Sequence, residues 1–213
     1  MKNRMETELI REIQKLKRSP VSRTVKKRME QFQKAAKSNK DIFSELCFCI
    51  LTANYTAEGG IRIQKELGHS FHKLSEKQLA SKLRSLGHRF PNMRAKFIYI
   101  AREHAGAIGS KLHTCDPYEM RKWLAENVHG LGYKEASHFL RNIGIDDLAI
   151  IDFHIIDILV KNGMIGKPET KTLNKARYLE IESVLRNLAE KTRLSLAELD
   201  LFLWYMETGK VLK

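Results

Sequence analysis

The stretch from Val128 to His154 constrains this chain more than any other. It opens with Val128-His129-Gly130-Leu131-Gly132-Tyr133-Lys134-Glu135-Ala136 and closes on Ile151-Asp152-Phe153-His154. Two glycines around one leucine predict a turn too tight for ordinary residues, because glycine enters positive φ freely. After the turn, Ala136, Phe139, Leu140 and Ile143 recur at i, i+3, i+4 and i+7, the stripe of an amphipathic helix. A glycine turn that opens a helix leaves several backbone N–H groups without intrahelical partners, and such a site suits a phosphate. Lys134 falls in the first turn of this helix, on its polar side. These residues alone fit two readings equally: a surface lysine on an ordinary helix–turn–helix, or part of a site.

Helical patterns continue on both sides, and no hairpin or βαβ pattern appears. Val21, Val25, Met29, Phe32 and Ala36 recur at helical spacing, so the N-terminal residues read as two basic amphipathic helices separated near Pro20. Phe43, Leu46, Cys47, Ile50 and Leu51 form a strongly apolar stripe that ends in a Thr52-Ala53-Asn54 turn. Ser75 with Gln78 predicts a capping box ahead of Leu79, Leu83 and Leu86, and Gly87 stops that helix. Pro91 suits the first turn of a helix through Phe97, Ile98 and Ala101 to about Gly106. Asp116-Pro117 starts a short helix with Trp123 and Leu124. Asp152 stands where an N-cap belongs, ahead of Ile155, Ile156 and Leu159. Residues 163 to 174 read as a loop. Ile181, Val184, Leu185 and Leu188 stripe a further helix, and Ser195 with Glu198 cap a last one carrying Leu199, Phe202, Leu203 and Met206. The expected fold class is all-α.

Charge indicates the kind of partner. The 213 residues carry 38 Lys and Arg against 25 Asp and Glu, a formal net charge of +13. That excess favours a polyanion through steering and counterion release. It concentrates in residues 1 to 40, which hold 13 basic and 4 acidic side chains, read as mostly a solvated face that adds non-specific attraction to DNA. Cys47, Cys49 and Cys115 are too few for a four-cysteine iron–sulfur cluster and suggest no disulfide framework. No signal peptide or long apolar run appears, so the expectation is a soluble, cytoplasmic protein, associated with the nucleoid only through DNA, with no membrane partner.

For Lys134 to act as a nucleophile near neutral pH, its site must favour the neutral amine, since the reference pKa is about 10.4. A place in a helix's first turn helps, because the positive end of the dipole disfavours an ammonium, and burial in a basic groove pushes the same way. Asp152, brought back by one helix and a short connection, can stabilise positive charge on a reacting sugar, and a plain N-cap role is compatible with that. His154 can donate to a phosphate or make a structural hydrogen bond.

The string from Val128 to Ala136, with Ile151-Asp152-Phe153-His154 downstream, resembles the helix–hairpin–helix DNA glycosylase superfamily. It is most similar to the small archaeal and bacterial branch of 8-oxoguanine DNA glycosylase/lyases, from about Asp41 to Lys213. The lysine directly after the hairpin, with Asp152, marks the bifunctional members. Leu51-Thr52-Ala53-Asn54 resembles the turn whose asparagine enters the gap left by an extruded nucleotide. Gly87-His88-Arg89-Phe90, with Arg94-Ala95, resembles the segment whose aromatic ring stacks on the flipped base. Trp204 and Glu207-Thr208-Gly209-Lys210-Val211-Leu212-Lys213 resemble the terminal helix and tail. There the tryptophan closes the other face of the base, and the final lysine with its carboxylate helps tell oxidised from normal guanine.

The resemblance implies one glycosylase unit over residues 1–213, made of two interleaved helical subdomains flanking a DNA-binding cleft, with the helix–hairpin–helix at about 117–144. It implies catalysis by Lys134 and Asp152, base recognition by Phe90, Trp204 and Lys213, and DNA contacts from Asn54, Gly130, Gly132 and His154. The implied partner is double-stranded DNA containing 8-oxoguanine or abasic sites, met by a monomer without metal or cofactor. The implied reaction is base excision followed by β-elimination through a lysine Schiff base. Two alternatives remain at this point: a non-catalytic helix–hairpin–helix DNA-binding module, and a glycosylase for another damaged base.

Overall fold

The computed structural model describes residues 2–170 and 172–213, with side chains from Arg4 onward. Lys171, part of the expected 163–174 loop, lies outside the described residues. Twelve α-helices and no strand occur among the described residues. They are α1 (Lys2–Lys17), α2 (Val21–Ala35), α3 (Asn39–Thr52), α4 (Ala57–Leu67), α5 (Glu76–Ser85), α6 (Pro91–Ala101), α7 (Ala105–Thr114), α8 (Pro117–Asn127), α9 (Tyr133–Asn142), α10 (Phe153–Lys161), α11 (Lys175–Thr192) and α12 (Leu196–Thr208). None is long and apolar enough to cross a membrane. The chain divides into two compact units, one of Phe32–Gly144 and one that joins the residues up to Gln31 with Ile145–Lys213.

The Phe32–Gly144 unit is built around α3. Its apolar run exceeds a single stripe: every residue from Leu46 to Thr52 is buried, as expected of a helix packed on all sides. The neighbours are α4, α6, α7 and α9. Cys47 and Cys49 lie inside this packing, where burial pushes the Cys47 thiol pKa up and leaves it inert. The expected box at the start of α5 forms in full, Gln78 N–H donating to Ser75 Oγ and Ser75 N–H to the Gln78 side chain.

One boundary differs from the sequence reading. The helix beginning at Pro91 ends at Ala101 rather than near Gly106; a 3-10 turn, Arg102–His104, and a separate α7 follow. Arg102 anchors the break by donating to the carbonyls of Phe71, at 2.9 and 2.6 Å, and of Leu74, at 2.5 Å. Gly109 looks like a helix breaker in sequence but sits inside α7, because a Cβ there would lie 2.8 Å from Asn39 Oδ1 at the start of α3. Close packing, rather than a stop signal, accounts for it.

In the other unit, α1 packs on α11 and α12, and α12 packs on α10 and α11. Leu9 and Ile13 supply the buried face of α1. Part of its basic charge is structural rather than solvated. Gln14 and Lys17 donate to the carbonyl of Thr192, at 3.2 and 2.5 Å, and so cap the C-terminus of α11, where cations also favour the helix dipole.

Candidate active-site residues

The turn between α8 and α9 assigns different tasks to its two glycines. Gly130 has φ +89°, and a Cβ on it would stand 2.6 Å from Phe97 Cδ2, so both backbone and packing require glycine. Gly132 corrects the sequence expectation. It adopts φ −99°, ψ −170°, extended backbone open to any residue, and the nearest atom to an added Cβ is Glu135 Oε2 at 3.4 Å. Within the protein nothing demands a glycine there, while outside it the position is exposed. The Gly132 amide is also already engaged, donating to Glu135 Oε2 at 3.2 Å. The first-turn amides of Lys134 and Glu135 have no hydrogen-bond partner among the described residues, as helix geometry dictates. Arg121, fully buried on α8, fixes the two helices together, with its guanidinium 5.0 Å from the Tyr133 ring centre and 3.4 Å from Ser137 Oγ.

Lys134 lies in the first turn of α9 with its side chain 29% exposed and its Nζ 3.0 Å from Glu135 Oε1. One carboxylate therefore caps the turn with one oxygen and holds the amine with the other. The helix start and partial burial expected around this amine are present, and the structure adds a carboxylate directly beside it. Arg94, buried on α6, is held against its desolvation by the same Glu135 charge.

In the same unit, the turn after α3 places Asn54 at φ +59°, exposed. A non-glycine residue in this region is strained, asparagine less than most. Arg94 donates to the carbonyl of Ala53 just before it. Phe90 forms the N-cap of α6 and is half-buried, with the Arg89 guanidinium 5.0 Å from its ring centre. His88 lies between these two places. Its Nε2 is 3.0 Å from the Leu51 carbonyl, and its Nδ1 accepts from the Phe90 amide at 3.0 Å.

The second unit presents Asp152. Residues 148–151, neither helix nor strand, are buried ahead of it and tied down by α11. Tyr178 Oη donates to the Ala149 carbonyl at 2.7 Å and accepts from the Ile151 amide at 3.4 Å, while Glu182 accepts from the Ala149 amide at 3.0 Å. Asp152 caps α10 as expected, its Oδ1 accepting from the Ile155 amide at 3.0 Å. His154 stands edge-on to Trp204, ring centres 4.9 Å apart, and meets the tilted ring of Phe153, which is 66% exposed, at 3.9 Å. The indole Nε1 of Trp204 is buried without a partner among the described residues. Lys213 is half-buried beyond the end of α12. Among the described residues no group of His, Cys, Asp or Glu could hold a metal ion.

The family model described as 8-oxoguanine DNA glycosylase matches residues 25–194. A protein of Korarchaeum cryptofilum named 8-oxoguanine DNA glycosylase/AP lyase is 48% identical, the match covering 97% of this chain and 98% of that protein. One of the same name from Methanocaldococcus jannaschii is 50% identical over 96% of this chain and 99% of its own length. This chain belongs to the 8-oxoguanine DNA glycosylase family. The crystal structure of the M. jannaschii 8-oxoguanine glycosylase/lyase in complex with a 15mer DNA containing 8-oxoguanine superimposes with a TM-score of 0.93 at 49% identity, covering 97% of this chain and all of that one.

The candidate residues expected from the sequence are divided between the two units. Lys134, Gly130, Gly132, Asn54 and Phe90 belong to the Phe32–Gly144 unit; Asp152, His154, Trp204 and Lys213 belong to the other. No helical period marks His88, Arg94, Tyr178 or Glu182 as supports of these groups. Phe153 left a usable signal: a large apolar residue outside the Ile155, Ile156, Leu159 stripe, at the first position of its helix.

Proposed function

We propose that this protein excises 8-oxoguanine from duplex DNA and nicks the resulting abasic strand by β-elimination. The observation that carries the reading is a lysine in the first turn of the hairpin helix, in a chain nearly half identical to proteins named 8-oxoguanine DNA glycosylase/AP lyase. The first-turn amides of α9, which no described residue occupies, take a phosphate, with the helix dipole adding to the attraction. Asn54 enters the gap left by the extruded nucleotide, and Phe90 and Trp204 take the two faces of the base, replacing the stacking it has lost. The unpartnered Trp204 Nε1 and the Lys213 tail supply polar groups for that base. A site that accepts a hydrogen bond from N7–H leaves its acceptor unpaired when normal guanine enters, which is the strong form of discrimination.

Asp152 stabilises the positive charge that develops on the sugar as the N-glycosidic bond breaks. Lys134, released from Glu135 and deprotonated, attacks C1′; the adduct opens to a Schiff base, and loss of the C2′ proton expels the 3′ phosphate. No step needs a metal or an organic cofactor. Borohydride reduction in the presence of lesion duplex tests the assignment. Wild-type protein should become covalently attached to DNA bearing 8-oxoguanine, and Lys134→Gln should bind that DNA but form no adduct. Efficient trapping by the variant refutes Lys134 as nucleophile. No adduct with any of a panel of lesion duplexes supports the binding-module alternative instead.

A further inference from the structure

His88 lies outside every role assigned above, yet it links the Asn54 turn directly to Phe90 through both of its ring nitrogens. It is 4% exposed, and both ring nitrogens are committed. A carbonyl only accepts, so Nε2, 3.0 Å from Leu51 O, carries the hydrogen; an amide only donates, so Nδ1, 3.0 Å from Phe90 N, carries none. The Tyr55 ring packs on the imidazole at 4.3 Å, and Tyr55 Oη donates to the Gly87 carbonyl at 3.1 Å, which closes the segment around His88. The Leu51 carbonyl belongs to the last turn of α3, three residues before Asn54, and the Phe90 amide fixes the residue whose ring faces the base. Arg94 adds a second hold on the Asn54 turn through the Ala53 carbonyl.

We infer that His88 is a positioning residue that joins the Asn54 turn to Phe90, so that filling the gap and stacking the extruded base occur from one rigid frame. This rests on the proposed glycosylase function. A displaced joint costs most where an intact base must be extruded and held. It costs little on a preformed abasic site, which has no base to stack and less stacking to break.

Two substitutions divide the joint. His88→Asn keeps an acceptor for the Phe90 amide but falls short of Leu51; His88→Gln reaches Leu51 but offers no acceptor at the Nδ1 position. Each should lower the single-turnover rate of 8-oxoguanine release tenfold or more and leave strand cleavage at a preformed abasic site within twofold of wild type. A parallel fall in both activities, misfolding included, overturns the positioning role in favour of a purely structural one. Unchanged base release overturns it as well. If the wild-type protein releases no 8-oxoguanine, the proposed function has failed rather than the joint.

Discussion

The contrast between Gly130 and Gly132 gives a paired experiment that separates the stability of the turn from its proposed grip on a phosphate. Alanine at Gly130 must hold φ near +89°, a left-handed conformation that costs about 1–2 kcal/mol for a residue with a Cβ. Its methyl would also stand 2.6 Å from Phe97 Cδ2, an overlap of the kind that costs roughly 1–3 kcal/mol in a packed region. The total, about 2–5 kcal/mol, is a large share of a typical stability of about 5–15 kcal/mol. Alanine at Gly132 meets neither obstacle and loses only the modest N-cap preference of glycine, up to about 1 kcal/mol. If a phosphate approaches the exposed side of Gly132, the same methyl stands in its way. Losing a charge-assisted hydrogen bond of about 1.5–3 kcal/mol weakens binding roughly tenfold or more. Urea unfolding and fluorescence anisotropy with an undamaged duplex at fixed salt read the two effects separately. Gly130→Ala should be strongly destabilised, whereas Gly132→Ala should be nearly as stable as wild type and bind DNA poorly. A Gly132→Ala protein that binds like wild type would refute the phosphate approach, and an equally stable Gly130→Ala would refute the reading of the turn.

Tyr178→Phe removes the hydroxyl that satisfies the Ala149 carbonyl and the Ile151 amide, both buried. An unpaired buried group costs about 1–3 kcal/mol, which should lower the calorimetric Tm by roughly 2–12 °C for a chain of this size; an unchanged Tm would show that the segment before Asp152 needs no tether. The pH dependence has a definite sign. Burial pushes the imidazoles of His88 and His72 below the usual value of 6.5, with Arg94 adding to the effect on His88 and Arg102, His69 and Lys40 to that on His72. The unfolded chain therefore takes up protons first as pH falls below 6.5, and stability declines through that window until the folded-state values are reached. Unfolding free energies at a series of pH values check this: stability that rises as pH falls from 6.5 would contradict it.

What the sequence revealed and what it concealed divide along the distance over which the deciding bonds act. The boxes at Ser75–Gln78 and Ser195–Glu198 and the cap at Asp116 are bonds between residues two or three apart, so residue types in order are enough to find them. The helix–turn–helix around Gly130 was legible for the same reason, though the shared letter G concealed two backbone conformations. The supports of the candidate site are non-local. His88 reaches back 37 residues to Leu51, and Tyr178 reaches 29 residues to Ala149. No period or propensity marks such a partner. The split of the expected long helix at Ala101 was hidden likewise, since Arg102 bonds to carbonyls 31 and 28 residues away.

Asp152 shows how a residue can be read correctly from sequence for one role and remain open for another. Its spacing from Ile155 marks an N-cap, and a cap that occupied the whole carboxylate would leave nothing for chemistry. The structure separates the roles by atom. Oδ1 accepts from the Ile155 amide at 3.0 Å, and Oδ2 accepts no hydrogen bond from any described residue. Capping therefore orients the second oxygen instead of competing for it, because the bond to Ile155 fixes the carboxylate while the Tyr178 and Glu182 ties fix the backbone that carries it. A carboxylate pinned by one oxygen loses little further freedom when a developing cation meets the other, which is the arrangement electrostatic stabilisation requires. The cap is thus part of the machinery that the proposed chemistry uses, and replacing it would turn the second oxygen away even where the helix survived.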